Sequence, residues 1–145
     1  LTDSLNHVAK IKKIPILGIC LGMQLFGTSS EEVNYEHGGL NWIKGNLVKF
    51  IVKKKIPHIG FNGLINLKDD KLFYNINEHS KFYFVHNYYF ESENEKDVIA
   101  QTEYDIIFPS VVKKENIVGT QFHPEKSQNH GIQFLYNFLK SYDLL

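Results

Sequence analysis

Ile14-Pro15-Ile16-Leu17-Gly18-Ile19-Cys20-Leu21-Gly22-Met23-Gln24 is the stretch on which the reading of this chain turns. Residues 14–20 form a short apolar run bounded by Pro15 and by glycines, the pattern of a strand buried on both faces of a parallel sheet. Residues 21–28 then read as a helix. Between the two, Gly18-Ile19-Cys20-Leu21-Gly22 has the form G-x-nucleophile-x-G, a strand-to-helix turn that pushes its central side chain out of the sheet edge. The glycines are expected to remove side chains where backbone segments crowd. The helix is expected to aim the positive end of its dipole at the sulfur and favour thiolate, making Cys20 usable as a nucleophile at neutral pH. Taken alone, the pentapeptide fits equally well a buried cysteine that serves as a small hydrophobe.

Upstream of this turn, residues 2–12 place Leu5, Val8, Ala9 and Lys12 at helical spacing, with Thr2 or Asp3 as N-cap, and predict a short helix that ends before Pro15. Downstream, residues 29–42 are polar and glycine-bearing and read as a surface loop. Residues 46–59, 81–90, 98–102, 110–114 and 117–122 are β-branched and aromatic segments separated by turn residues, so much of the middle is strand. Residues 129–142 carry Ile132, Leu135, Tyr136 and Leu139 on one stripe, predicting an amphipathic C-terminal helix packed on the sheet.

The chain has 145 residues, 43% hydrophobic and 14% aromatic, enough to fill one core, and residues 1–145 are read as a single domain. Lys plus Arg and Asp plus Glu number 16 each, so there is no overall field to hold nucleic acid or an anionic membrane, and neither is expected as a partner. The single cysteine excludes an internal disulfide and a multi-cysteine metal site, and fits a reducing compartment. No metal and no cofactor are expected. The apolar stretches are too short to span a bilayer and no signal peptide stands ahead of them, which predicts a soluble, cytoplasmic protein. The chain opens at Leu1 within a helical pattern, and residues upstream of it are expected.

A second constellation, Gln121-Phe122-His123-Pro124-Glu125-Lys126-Ser127, closes the apolar run 117–122. In an extended segment His123 and Glu125 project to the same side. The Glu125 carboxylate is then able to accept from one imidazole nitrogen while the other faces Cys20, the orienter, base and nucleophile of a triad. Pro124 restricts the backbone between them. On its own, the His-Pro-Glu sequence also fits an ordinary strand exit with a solvated carboxylate.

Together the two motifs resemble those of the class I glutamine amidotransferases. The resemblance narrows to the glutaminase subunit of imidazole glycerol phosphate synthase through Pro57-His58-Ile59-Gly60-Phe61-Asn62, Phe82-Tyr83-Phe84-Val85-His86-Asn87-Tyr88-Tyr89 and the segment 121–127. It covers essentially the whole chain. It implies an α/β, flavodoxin-like fold with a central mostly parallel sheet, flanking helices and an added antiparallel region, the first strands and a glycine-rich oxyanion loop lying upstream. It also implies hydrolysis of glutamine to glutamate, with ammonia passed to a (β/α)8-barrel cyclase in a heterodimer for histidine biosynthesis.

By the same resemblance Cys20, His123 and Glu125 are catalytic and the amide of Leu21 is an oxyanion donor. Gln24, Glu32, His86, Asn87 and Tyr88 contact glutamine, and His58, Phe61, Asn62, Tyr89 and Lys126 face the cyclase. Phe61 stands where the family usually has tryptophan. The alternatives are a paralogue that feeds ammonia to another synthase, such as a surface-sugar amidating enzyme, and a non-catalytic amidotransferase-like module, which loss of Cys20, His123 or Glu125 would have signalled. Cysteine peptidases and α/β-hydrolases share the elbow but usually place the acid elsewhere.

Overall fold

The computed structural model describes residues 1–32 and 38–145, so the centre of the loop read at 29–42 lies outside the described residues. In chain order the elements are α1 (Thr2–Asn6), continued by a π-helical turn (His7–Ile11), β1 (Ile16–Ile19), α2 (Leu21–Gln24), β2 (Ser29–Ser30), β3 (Gly45–Lys49) and β4 (His58–Gly63). A 3-10 turn (Lys71–Phe73) precedes β5 (Lys81–His86) and β6 (Tyr88–Ser92). After them come β7 (Val98–Tyr104), β8 (Ile106–Lys114), β9 (Ile117–Thr120), a 3-10 turn (Pro124–Lys126) and α3 (Gln128–Ser141).

Three sheets are described, in the orders β1-β9-β8-β7, β2-β3-β6 and β4-β5. β1 and β9 run parallel, Ile16 opposite Ile117 through Ile19 opposite Thr120, and β2 runs parallel to β3. The remaining pairings are antiparallel. The result is the mixed-sheet α/β class, with parallel pairing where the Cys20 strand meets the strand that leads to His123.

Because successive strand residues point to opposite faces, the β1-β9-β8-β7 sheet divides the interior in two. Val111 and Val118 belong to a large aromatic core with Phe82, Phe84, Phe108, Phe122 and Phe134. Their chain neighbours Val112 and Ile117 belong to a second core with Met23, Phe26, Trp42, Ile43 and Phe90.

Several boundaries differ from expectation. The strand read at 46–59 breaks after Lys49, because the Asp105 carboxylate takes the Lys53 and Lys54 amides at 3.0 and 2.8 Å, groups a strand would give to a ladder. The segment 81–90 is two strands separated at Asn87. The helix read at 21–28 stops at Gln24, and the helix read at 2–12 buries only Ala9.

The C-terminal helix is present, but its buried face is Gly131, Phe134, Asn137 and Phe138, while Ile132 is 66% and Tyr136 46% exposed. Two contacts rotate it from the predicted stripe. Asn137 Nδ2 donates to the Leu72 and Tyr74 carbonyls at 2.8 and 2.7 Å, and Phe134 packs on Phe122 with ring centroids 5.4 Å apart.

Candidate active site

Cys20 sits at the end of β1, its backbone N–H donating to the Thr120 carbonyl at 2.7 Å, with φ 49° and ψ −102°. A left-handed φ on a non-glycine residue is strained backbone, found where surrounding structure enforces it. Gly18 shows how tightly that surrounding is drawn. A Cβ there would lie 2.4 Å from Phe26 Cζ and 2.8 Å from the Gly22 carbonyl carbon. Gly22 is different, with nothing within 4 Å of the added Cβ, so crowding accounts for one elbow glycine and not the other.

Burial pushes the Cys20 thiol up from its ordinary range, the largest influence on it, and Glu125 acts in the same direction more weakly. The Leu21 N–H, the Gln121 amide and Lys126 pull it down. The expected helix dipole is therefore not decisive: α2 is only four residues long, and burial outweighs the donors. A base is needed to remove the proton.

His123 and Glu125 are joined, with imidazole Nδ1 2.6 Å from Glu125 Oε1. The route to that contact differs from the extended strand exit of the sequence reading. His123 is the last extended residue, and Pro124–Lys126 form a 3-10 turn that swings Glu125 back onto the ring. The His123 backbone is held on both sides, its N–H donating to the Tyr83 carbonyl at 2.9 Å and its carbonyl accepting from Ser127 Oγ at 2.5 Å. Ser127 Oγ in turn accepts from the Tyr83 N–H at 2.9 Å.

The adjacent parallel strands bring Cys20 and the His123–Glu125 pair to one sheet end. Among the described residues, however, Cys20 Sγ makes no hydrogen bond to His123. Its neighbours are Gln121 Nε2 at 3.7 Å and the Val85 carbonyl at 3.9 Å. Sequence reasoning missed both. Gln121 had a usable signal, lying two residues before His123 on the same extended segment.

The expected substrate residues come together only in part, Gln24 with Glu32 and with the Tyr88 backbone. Leu21, Gln24, Ser29, Ser30 and Glu32 line one small pocket of about 20 Å³ beside the elbow. Gln24 Nε2 lies 3.3 Å from the Tyr88 carbonyl, and the Asn87 carbonyl accepts from the Phe50 N–H at 3.1 Å. His86 is in the interior, Nδ1 donating to the Tyr88 carbonyl at 2.7 Å and Nε2 lying 2.9 Å from His58 Nδ1. A carbonyl only accepts, so neutral His86 carries its proton on Nδ1 and takes the His58 N–H on Nε2. His58 Nε2 then faces Asn62 Nδ2 at 3.4 Å. Burial holds His58 down to about 4 and His86 to about 3, which keeps both neutral.

The five expected partner-facing residues divide. Phe61 and Lys126 are exposed and Asn62 is half-buried. Tyr89 is half-buried on Phe50, ring centroids 5.0 Å apart. His58 is not at the surface: at 3% exposure it is stacked between Phe84 and Tyr104, because its neutral ring completes the aromatic core. Among the described residues no group of three or more His, Cys, Asp or Glu is placed to hold a metal, and no helix is long and apolar enough to cross a membrane.

The family model for Glutamine amidotransferase class-I matches residues 2–142. The chain is 43% identical over 141 residues to imidazole glycerol phosphate synthase subunit HisH of Leptospira interrogans, covering 94% of this chain and 68% of that one. It is 46% identical over 142 residues to subunit HisH 2 of Methanococcus maripaludis, covering 97% and 69%. A glutamine amidotransferase structure from Thermotoga maritima, 19% identical, superposes with a TM-score of 0.62 over 98% of this chain and 55% of that one. The chain thus spans about two thirds of the length of its curated relatives. With the elbow, the His–Glu pair and these matches in hand, the chain belongs to the class I glutamine amidotransferase family and, within it, to the HisH subunits of imidazole glycerol phosphate synthase.

Proposed function

We propose that this chain is the glutaminase part of a two-subunit imidazole glycerol phosphate synthase. It hydrolyses glutamine to glutamate and supplies the ammonia to a (β/α)8-barrel cyclase, in the cytoplasm, for histidine biosynthesis. The observation that carries the reading is the strained Cys20, set at the end of a strand parallel to the one that delivers the His123–Glu125 pair.

The chemistry follows from those groups. His123 takes the thiol proton, Cys20 Sγ attacks the side-chain amide carbon of glutamine, and the Leu21 N–H donates to the oxyanion that forms. His123 returns the proton to the departing nitrogen, releasing ammonia and leaving a thioester. It then takes a proton from water, whose hydroxide attacks the thioester, and gives that proton back to the sulfur as glutamate leaves. Glu125 holds Nδ1, so the remaining ring nitrogen performs each transfer. Gln24 and Glu32, beside Leu21 in the elbow pocket, bind glutamine together with the backbone of His86, Asn87 and Tyr88. Phe61, Asn62, Tyr89 and Lys126 contribute to the cyclase interface, and residues 1–145 belong to one amidotransferase domain.

The test is glutamate release by the protein assembled with its cyclase, comparing wild type with Cys20→Ser. Glutamine turnover is expected to be abolished and ammonia-dependent synthesis retained. Turnover within about tenfold of wild type would remove Cys20 from the nucleophile's role.

A further inference from the structure

Gln121 touches the sulfur, yet the hydrolytic steps leave it without a task. It is fully buried at 0% exposure, its Nε2 3.7 Å from Cys20 Sγ and its Oε1 3.2 Å from Gln24 Nε2. An amide can be turned end for end, so its polarity must be argued. Here an atom that cannot be turned decides it. Gln24 Nε2 lies 3.3 Å from the Tyr88 carbonyl, which only accepts. The Gln24 NH2 group therefore faces Tyr88, and its second hydrogen goes to Gln121. Gln121 must show its oxygen to Gln24 and its NH2 group to the sulfur. The Tyr88 carbonyl is itself held by His86 Nδ1 at 2.7 Å.

We propose that Gln121 is a positioning residue for the nucleophile: an N–H donor, aimed by Gln24 and the Tyr88 carbonyl, that favours the thiolate of Cys20 and holds it toward the elbow. The proposal rests on Cys20 being the nucleophile. The two protonation states find different partners. A thiol donates to the Val85 carbonyl at 3.9 Å, whereas a thiolate accepts from Gln121 and from the Leu21 N–H. Burial of the sulfur works against ionisation and the Gln121 amide works for it. The other charges acting on the sulfur are Glu125 and Lys126 of the turn after β9. His123, at the start of that turn and held by Glu125, is the titratable group that takes the thiol proton in the proposed mechanism, and the β5 terminus contributes the neutral His86. A donor that does not titrate keeps its effect at every pH.

The measurement is the rate of iodoacetamide alkylation of Cys20 between about pH 6 and 10, read by mass spectrometry without glutamine, on the protein assembled with its cyclase. Gln121→Met keeps the shape and removes the donor. Near neutral pH alkylation should slow about three- to tenfold, the factor for one ordinary hydrogen bond, as suits a donor 3.7 Å from the sulfur, with the midpoint moved up and the high-pH plateau unchanged. Gln24→Leu, which frees the Gln121 amide to turn, should move the midpoint the same way by less. If Gln121→Met does not fold, Gln121→Glu carries the test, since a carboxylate offers no N–H and adds like charge. A folded variant at position 121 whose alkylation profile overlays wild type overturns the proposal, because a merely structural glutamine would lower the melting temperature and leave thiol reactivity alone. Cys20→Ala separates the layers. Retained glutamine turnover in that variant sinks the nucleophile reading, whereas lost turnover with an unmoved Gln121→Met profile sinks only this inference.

Discussion

Replacing Gly131 by alanine should damage both the fold and the catalytic pair, because this glycine is where α3 rests on the His123–Glu125 turn. A Cβ at position 131 would lie 1.8 Å from the Pro124 carbonyl oxygen, 2.7 Å from its carbon and 2.9 Å from Ser127 Cβ. Ordinary contact begins at 3.4 Å, so helix and turn must part by about 1.6 Å, the difference between those distances. The obstacle is backbone, which has no rotamer to escape into. The Pro124 carbonyl also accepts the Ser127 N–H at 3.0 Å, and Ser127 is the residue that clamps the His123 carbonyl.

Overpacking of this kind costs ~1–3 kcal/mol, and a strained hydrogen bond adds ~1 kcal/mol. The gain from removing a helical glycine offsets roughly 0.5–1 kcal/mol. The net loss is about 2 kcal/mol, or roughly 4–8 °C in a thermal melt of a domain this size. Glutamine turnover should fall further than stability does, because a shift on the order of 1 Å in the group that orients a base can cost about a hundredfold. Gly22→Ala is the control for stability, with nothing within 4 Å of the added carbon. If Gly131→Ala melts within about 1 °C of wild type, the close approach is not what sets the helix. If it is destabilised but turns over glutamine normally, the helix does not position the pair.

Stability should fall as pH drops from about 6.5, the unfolded histidine value, toward the depressed values of about 4 for His58 and about 3 for His86. The unfolded chain binds the extra protons in that window, so urea midpoints should decline there, and substitution of both rings by phenylalanine should flatten the decline. Asn137→Leu leaves the Leu72 and Tyr74 carbonyls without their 2.8 and 2.7 Å donor and should cost ~2–4 kcal/mol by urea titration. Asp70→Ala removes both the cap on the Leu72 N–H at 3.0 Å and the 2.6 Å ion pair with Lys113, for a loss of about 1–2 kcal/mol by the same assay.

Strand runs were legible because β-branched and aromatic residues advertise a pleated, buried surface. What stopped them was not. Residues 50–57 have strand composition, and a carboxylate more than forty positions away, Asp105, claims the amides at Lys53 and Lys54. The C-terminal helix failed in a related way. Apolar periodicity pointed to Ile132 and Tyr136, whereas the packed face contains a polar residue, Asn137, whose value lies in two distant carbonyls, and a glycine chosen for what it lets approach. Local pattern reports propensity. Long-range hydrogen bonds decide boundaries and rotation.

At the site the same division runs between residue identity and residue relation. The elbow and the His-Pro-Glu segment declare their residue types, and parallel pairing of β1 with β9 places both at one sheet end. Electrostatics around the sulfur had no comparable signal, because a dipole argument needs a helix length and a burial that sequence does not state. Four residues of helix and a half-buried thiol reverse its outcome. By resemblance Gln24 reads as a glutamine contact and Gln121 as a strand residue, and nothing relates the two until the fold sets them 3.2 Å apart. Their significance then comes from a carbonyl at Tyr88, an atom present in every residue and so invisible to any motif. That is the physical reason a nucleophile is easier to find in a sequence than the groups that tune it. The nucleophile must be a particular side chain, whereas its tuning is done by directed donors, and direction exists only once the chain is folded.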